Sequence, residues 1–177
     1  IPAVLAPLPR DQIALKPFNL IGLEALSQLL VQEAKLPPRI EGGAPVVVGL
    51  DTGQGGALSV FRHYAEERGF LTGRPVSETR GGGVGGATTM KTATLRSVTI
   101  AGYELRDVPA AFHTVDVGGA FDTKRQAGNL GAGLLSRFRV LFDYPHGALW
   151  LEPGPRFGAP LPKDRTGLGL QWADGSL

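Results

Sequence analysis

Two kinds of hydrophobic spacing divide the chain. Short apolar runs bounded by glycine and proline, such as "APVVVGL" at 44–50, are too short for helices and predict buried β-strands. "TTMKTATLRSVTI" (88–100), rich in Thr, Val and Leu, predicts one long strand, and "AGYEL" after it a hairpin turn and return. "RVLFDY" and "ALWLEP", joined by "PHG", predict a second hairpin over 139–153. Helical spacing is confined to two places. "SVFRHYAEERGF" (59–70) sets Val60, Tyr64 and Glu67 on a helical repeat with Gly69 where a terminating glycine belongs, which predicts one helix. A shorter helix is expected around Leu134 to Phe138. Residues 1–24 predict an extended lead-in with an edge strand or two. Alternation in "LVQEAKL" before "PPR" favours a strand within 25–36. From Gly154 the chain is polar and Gly/Pro-rich, which predicts a linker.

Composition agrees with a mostly β domain. The 177 residues fit one large domain, and 26 glycines are about twice ordinary usage, so turns are frequent and long helices disfavoured. A formal charge of +2 without a Lys/Arg cluster argues against a nucleic-acid partner. The absence of cysteine removes disulfides, thiolate nucleophiles and Cys-type zinc sites. No apolar run approaches the roughly 18 residues of a membrane span. The opening "IPAVLAPLPR", without Met or a signal-peptide pattern, is expected of a processed or excised piece of something longer.

Candidate chemistry begins where the valine run ends, in "VVVGLDTGQGGALS" (46–59). A strand this apolar delivers Asp51 into a glycine turn, and burying an ionised carboxylate is costly unless it is paired or neutralised. Alone, Asp51-Thr52-Gly53 is compatible with a turn in which the aspartate bonds its own backbone. The second feature is "RGGGVGGATTMK" (80–91). It matches G-x-G-x-x-G at Gly81, Gly83 and Gly86, but neither a βαβ unit nor a following helix accompanies it, so a dinucleotide site is excluded. A hairpin tip is the simplest alternative. His63, His113 and His146 lack ligand spacing and are expected to be surface or structural, so no metal or cofactor is expected. Arg137 and Arg139 are expected to be solvated charges flanking Phe138, and Trp150 and Trp172 to be core or interface residues.

Eighty residues beyond Asp51 lies "NLGAGLLSRFRVLFDY" (129–144). The Asp-Thr-Gly after an apolar strand, followed in order by the Leu130-Gly131 turn, the short helix and "VLFDY", resembles one lobe of an aspartic protease. The likeness is closest to bacterial retropepsin-like proteins, and it spans roughly residues 25–153. It implies a closed, barrel-like β lobe with one or two short helices over residues 1–153, the tail from 154 leading toward a PDZ-type domain outside the chain. It also implies an endopeptidase with Asp51 as the catalytic carboxylate, and Thr52 and Gly53 supporting its turn. The glycine run becomes a flap over bound peptide, with Gly82, Gly83, Val84 and Gly85 as substrate contacts. Only one Asp-Thr-Gly occurs, so the implied partners are a peptide or protein substrate and a second lobe, from a homodimer or from the same longer polypeptide. The other outcome is a protease-fold peptide-binding or assembly module that does not cleave. Relatives are often exported, which suggests the periplasm. Two positions depart from the pattern. Asn129 stands where a hydrophobic residue is usual, and Gln54 stands where Ser, Thr or Ala is usual. Gln54 either folds over Asp51 or turns away from it.

Overall fold

The structure is a computed structural model that describes residues 38–83, 86–115, 124–143 and 148–162. Its elements in chain order are β1 (Arg39–Ile40), β2 (Val48–Asp51), β3 (Leu58–Val60), α1 (Arg62–Arg68), β4 (Ser77–Gly83) and β5 (Gly86–Ile100). They continue with β6 (Tyr103–His113), β7 (Gly128–Gly131), α2 (Ala132–Leu135), β8 (Phe138–Asp143) and β9 (Ala148–Pro153). The strands expected within 1–36 and the PHG turn lie outside the described residues, as does the tail beyond Pro162.

Six strands run β1-β5-β6-β3-β7-β2, β4 adds to β5, and β8 and β9 form a separate hairpin. The sheet curls into a half-barrel, and its two ends meet where the Val46 N–H donates to the Pro38 carbonyl at 2.9 Å. The mostly β, barrel-like lobe with two short helices is therefore as expected. The β5–β6 hairpin turns at Ala101 and Gly102, both with positive φ (49° and 82°), a geometry matched to the twist of antiparallel strands. Gly69 ends α1 in the left-handed region at φ 59°, donating its N–H to the Ala65 and Glu66 carbonyls.

Inward-facing residues of the curl make one core. Leu58 and Val60 of β3, Leu95 and Val98 of β5, Val108 and Phe112 of β6, and Leu130 and Leu134 are each at most 1% exposed. Tyr64 and Phe70 close the α1 side of it, their rings 5.6 Å apart.

Three sequence expectations are corrected. The helix expected over 59–70 begins only at Arg62, because Leu58–Val60 is a strand wedged between β6 and β7. Val60 thus faces the core from a sheet, and three residues are too few to show strand periodicity. Arg137 is buried (4% exposed), with its guanidinium donating to the Arg156 and Pro160 carbonyls at 3.0 and 2.8 Å. That clamp accounts for the third correction. Residues 154–162 pack back onto the lobe, Phe157 against Tyr103 and Phe138 with ring centroids 5.6 and 5.3 Å away, and Leu161 is buried. Trp150 is 38% exposed on β9, so it is not a core residue.

Candidate active site

Asp51 is the last residue of β2, and a threaded strand holds it there. β7 inserts between β2, to which it runs parallel, and β3, to which it runs antiparallel. Leu130 pairs with both Leu50 and Leu58, and Asp51 pairs with Gly131. Gly128 makes the insertion possible, since a Cβ there would collide with the Ser59 carbonyl. Asn129 is accommodated in the same way. Its side-chain oxygen lies over Gly49, whose missing Cβ leaves the space, so the polar substitution keeps β2 and β7 in full register.

Beyond the ladder, three main-chain hydrogen bonds lace the loop after Asp51 to the start of α2. Gly131 N–H donates to the Ala57 carbonyl at 3.0 Å, Ala132 N–H to Gln54 at 2.8 Å, and Gly133 N–H to Gly56 at 3.1 Å. This explains the Leu-Gly turn of the sequence: the two loops approach so closely that Gly131 and Gly133 have no room for side chains.

The carboxylate itself is half-buried. Its Oδ1 accepts the main-chain N–H groups of Gly53 (2.9 Å) and Gln54 (3.1 Å), which fixes the plane of the group. Oδ2 has no donor among the described residues. One oxygen is therefore anchored and the other is available to a water, a proton or a second acid. The Gln54 side chain makes no hydrogen bond to the carboxylate among the described residues, and its amide nitrogen lies 2.9 Å from where a Gly131 Cβ would stand and 3.8 Å from that of Gly56.

Thr52 is exposed and forms one wall of a shallow groove of about 300 Å3, completed by Ala132, Leu135, Ser136, Phe138, Val140 and Phe142. Sequence reading missed this groove, because its members become one apolar surface only after α2 and β8 fold beside the Asp51 turn.

The glycine run forms the end of the β4–β5 hairpin, where Gly81 pairs with Thr88, Gly82 with Ala87 and Gly83 with Gly86. Val84 and Gly85 lie outside the described residues. β6 takes up β5 only from Met90 onward, so the pairs from Arg80↔Thr89 to Gly83↔Gly86 extend past it as a two-stranded ribbon. Met90 lies across Gly81 at the root of that ribbon.

His113 ends β6 in the interior, edge-on to the Phe61 ring at 5.8 Å, and burial lowers its pKa. It is a structural histidine. Among the described residues no group of three or more His, Cys, Asp or Glu could hold a metal, and no helix is long and apolar enough to cross a membrane.

A family described as Aspartyl protease matches residues 36–136, more than half of the chain. Among solved structures, a retropepsin-like aspartic protease from Rickettsia conorii aligns with 24% identity and a TM-score of 0.43, covering 60% of this chain and 73% of that one. No curated protein matches.

Proposed function

The chain belongs to the aspartyl protease family, and on that premise we propose that it is one lobe of an aspartic endopeptidase in which Asp51 supplies one of two catalytic carboxylates. The observation that carries the proposal is the asymmetry of Asp51, with Oδ1 anchored by two N–H groups and Oδ2 lacking any donor among the described residues. In this reading a second carboxylate approaches from a partner lobe, and the pair shares one proton, so that a single charge is carried into the interface. The ionised member takes a proton from a water that attacks the scissile carbonyl carbon, while the protonated member donates to the carbonyl oxygen. Collapse of the resulting diol breaks the C–N bond, the proton passing to the leaving amine.

The partner lobe is a second copy of this chain or another lobe of a longer polypeptide. The groove beside Thr52 supports such pairing, because it lays apolar surface next to Asp51, where the second carboxylate must arrive. The glycine-rich ribbon of β4 and β5 would fold over bound peptide, its glycines allowing close backbone approach.

A non-cleaving module was the competing reading, and it rested on Gln54 capping the carboxylate. The Gln54 side chain makes no hydrogen bond to Asp51 among the described residues, which favours catalysis instead. The test is cleavage of an unstructured protein at acidic pH, alongside a light-scattering mass. We expect cleavage by a dimer, inhibition by a statine-type compound, and a loss of about 10³-fold or more in kcat/KM for Asp51→Asn. Undiminished cleavage by that variant would remove Asp51 from the mechanism.

A further inference from the structure

Gln54 belongs to the Asp51 turn through its main chain, yet its side chain has no structural task there. Its N–H helps to hold Asp51 Oδ1, and its carbonyl receives the Ala132 N–H, so the Cα is fixed relative to the carboxylate. Its carboxamide, by contrast, makes no hydrogen bond among the described residues although the residue is half-buried. Among the described residues, chain neighbours aside, no atom comes within 4 Å of where a Gly55 Cβ would stand, and only the Gln54 amide nitrogen does so at Gly56. The strip leaving Asp51 is thus a bare glycine surface that an extended peptide can lie along, with one unused polar side chain at its edge.

We propose that Gln54 is the specificity-determining residue of the cleavage site, its carboxamide hydrogen-bonding a polar substrate side chain close to the scissile bond. The substrate class is peptide bearing Asn, Gln, Ser or Thr at that position. The proposal rests on Asp51 being the catalytic carboxylate. In the free protein that half-buried amide would be left to water. A bound peptide displaces that water, and an apolar side chain would leave the amide donors without a partner, whereas an amide or hydroxyl replaces what was lost. One hydrogen bond of this kind corresponds to about a tenfold preference in kcat/KM.

The experiment profiles a peptide library with four proteins: wild type, Gln54→Ala, Gln54→Leu and Asp51→Asn. Thermal melts and light-scattering masses confirm that each is folded and assembled alike. The expected result is wild-type selection of amide or hydroxyl side chains at one position flanking the cut. Gln54→Ala should lose about tenfold of that selection, and Gln54→Leu should turn it toward Leu, Val and Phe at the same position. An unchanged profile in both Gln54 variants, with cleavage still dependent on Asp51, overturns this proposal and leaves the protease reading intact. A wild type that shows no Asp51-dependent cleavage overturns both.

Discussion

Asp51 and Gly131 face each other across a parallel ladder, although 80 positions separate them in the chain. Gly131 comes so close to the Gln54–Gly56 loop that a Cβ on it would collide with the Gly56 carbonyl oxygen and stand 2.7 Å from that of Gln54. The geometry of the carboxylate therefore depends on an absent side chain on a distant strand. The same loop supplies the Gly53 and Gln54 N–H groups that orient Oδ1.

Gly131→Ala is accordingly expected to damage the site more than the fold. The obstacle is backbone on both sides, which cannot rotate away, so the 54–56 loop must move and the hydrogen bonds to Oδ1 lengthen. Overpacking of this kind costs about 1–3 kcal/mol, and a displacement of about 1 Å at a reacting group costs on the order of 100-fold in rate. Thermal melting should show a modest drop while peptide cleavage falls by about two orders of magnitude. Full activity in a folded Gly131→Ala protein would contradict this account of the turn.

Much of this site was legible in the residues because its parts are local or ordered. A valine strand ending in Asp-Thr-Gly and a Leu-Gly turn before a short helix survive as contiguous strings, and β2, α1 with Gly69, and the β5–β6 hairpin follow from short-range pattern. What escaped was non-local. β3 is three residues long, and only its neighbours β6 and β7 make it a strand. Arg137 looked like a solvated charge because its partners are carbonyls from 19 and 23 positions downstream, which no side-chain pattern encodes. Gln54's orientation and the fit of Asn129 over Gly49 likewise depend on spaces that glycines leave in other strands.

Stability should fall in acid, and Glu41 is one cause. Its side chain is 5% exposed and receives both Arg74 guanidinium nitrogens, at 2.9 and 3.0 Å, and the Arg96 N–H at 2.8 Å. Burial alone would raise its pKa, but those hydrogen bonds and the charges of Arg74 and Arg96 outweigh it and hold the carboxyl below its ordinary 4.5. The folded state therefore binds fewer protons than the unfolded chain between that lowered value and 4.5. The contribution is fully present above the unfolded pKa and is lost as pH falls through the folded one. His113 acts in the same direction from higher pH. Burial lowers its pKa below the ordinary 6.5, so the unfolded chain begins to take up a proton first and stability declines as pH drops past about 6.5. Denaturant melts at pH 7, 5.5 and 4 should give falling stability, with Glu41→Gln less stable at pH 7 by about 2 kcal/mol and flatter below pH 4.5. Equal slopes below pH 4.5 in the two proteins would exclude Glu41 as a source of the acid sensitivity.

The Arg137 clamp makes the segment after β9 part of the lobe. Its guanidinium reaches the Arg156 and Pro160 carbonyls, Gly154 N–H returns to the Arg137 carbonyl at 2.8 Å, and Phe157 and Leu161 are seated between these ties. Replacing Arg137 with Met keeps the apolar stem against the core but removes both charge-assisted bonds, each worth about 1.5–3 kcal/mol. A buried cation disappears at the same time, which offsets part of the loss, so the net destabilisation is expected near 2 kcal/mol, or about 4–8 °C in Tm. The distinguishing readout is local. In Arg137→Met, limited proteolysis should cut within 154–162 well below the melting temperature, where wild type is protected, while the Leu58, Leu95 and Leu130 core stays folded. Equal protection of that segment in the two proteins would show that Phe157 and Leu161 hold it by apolar contact alone.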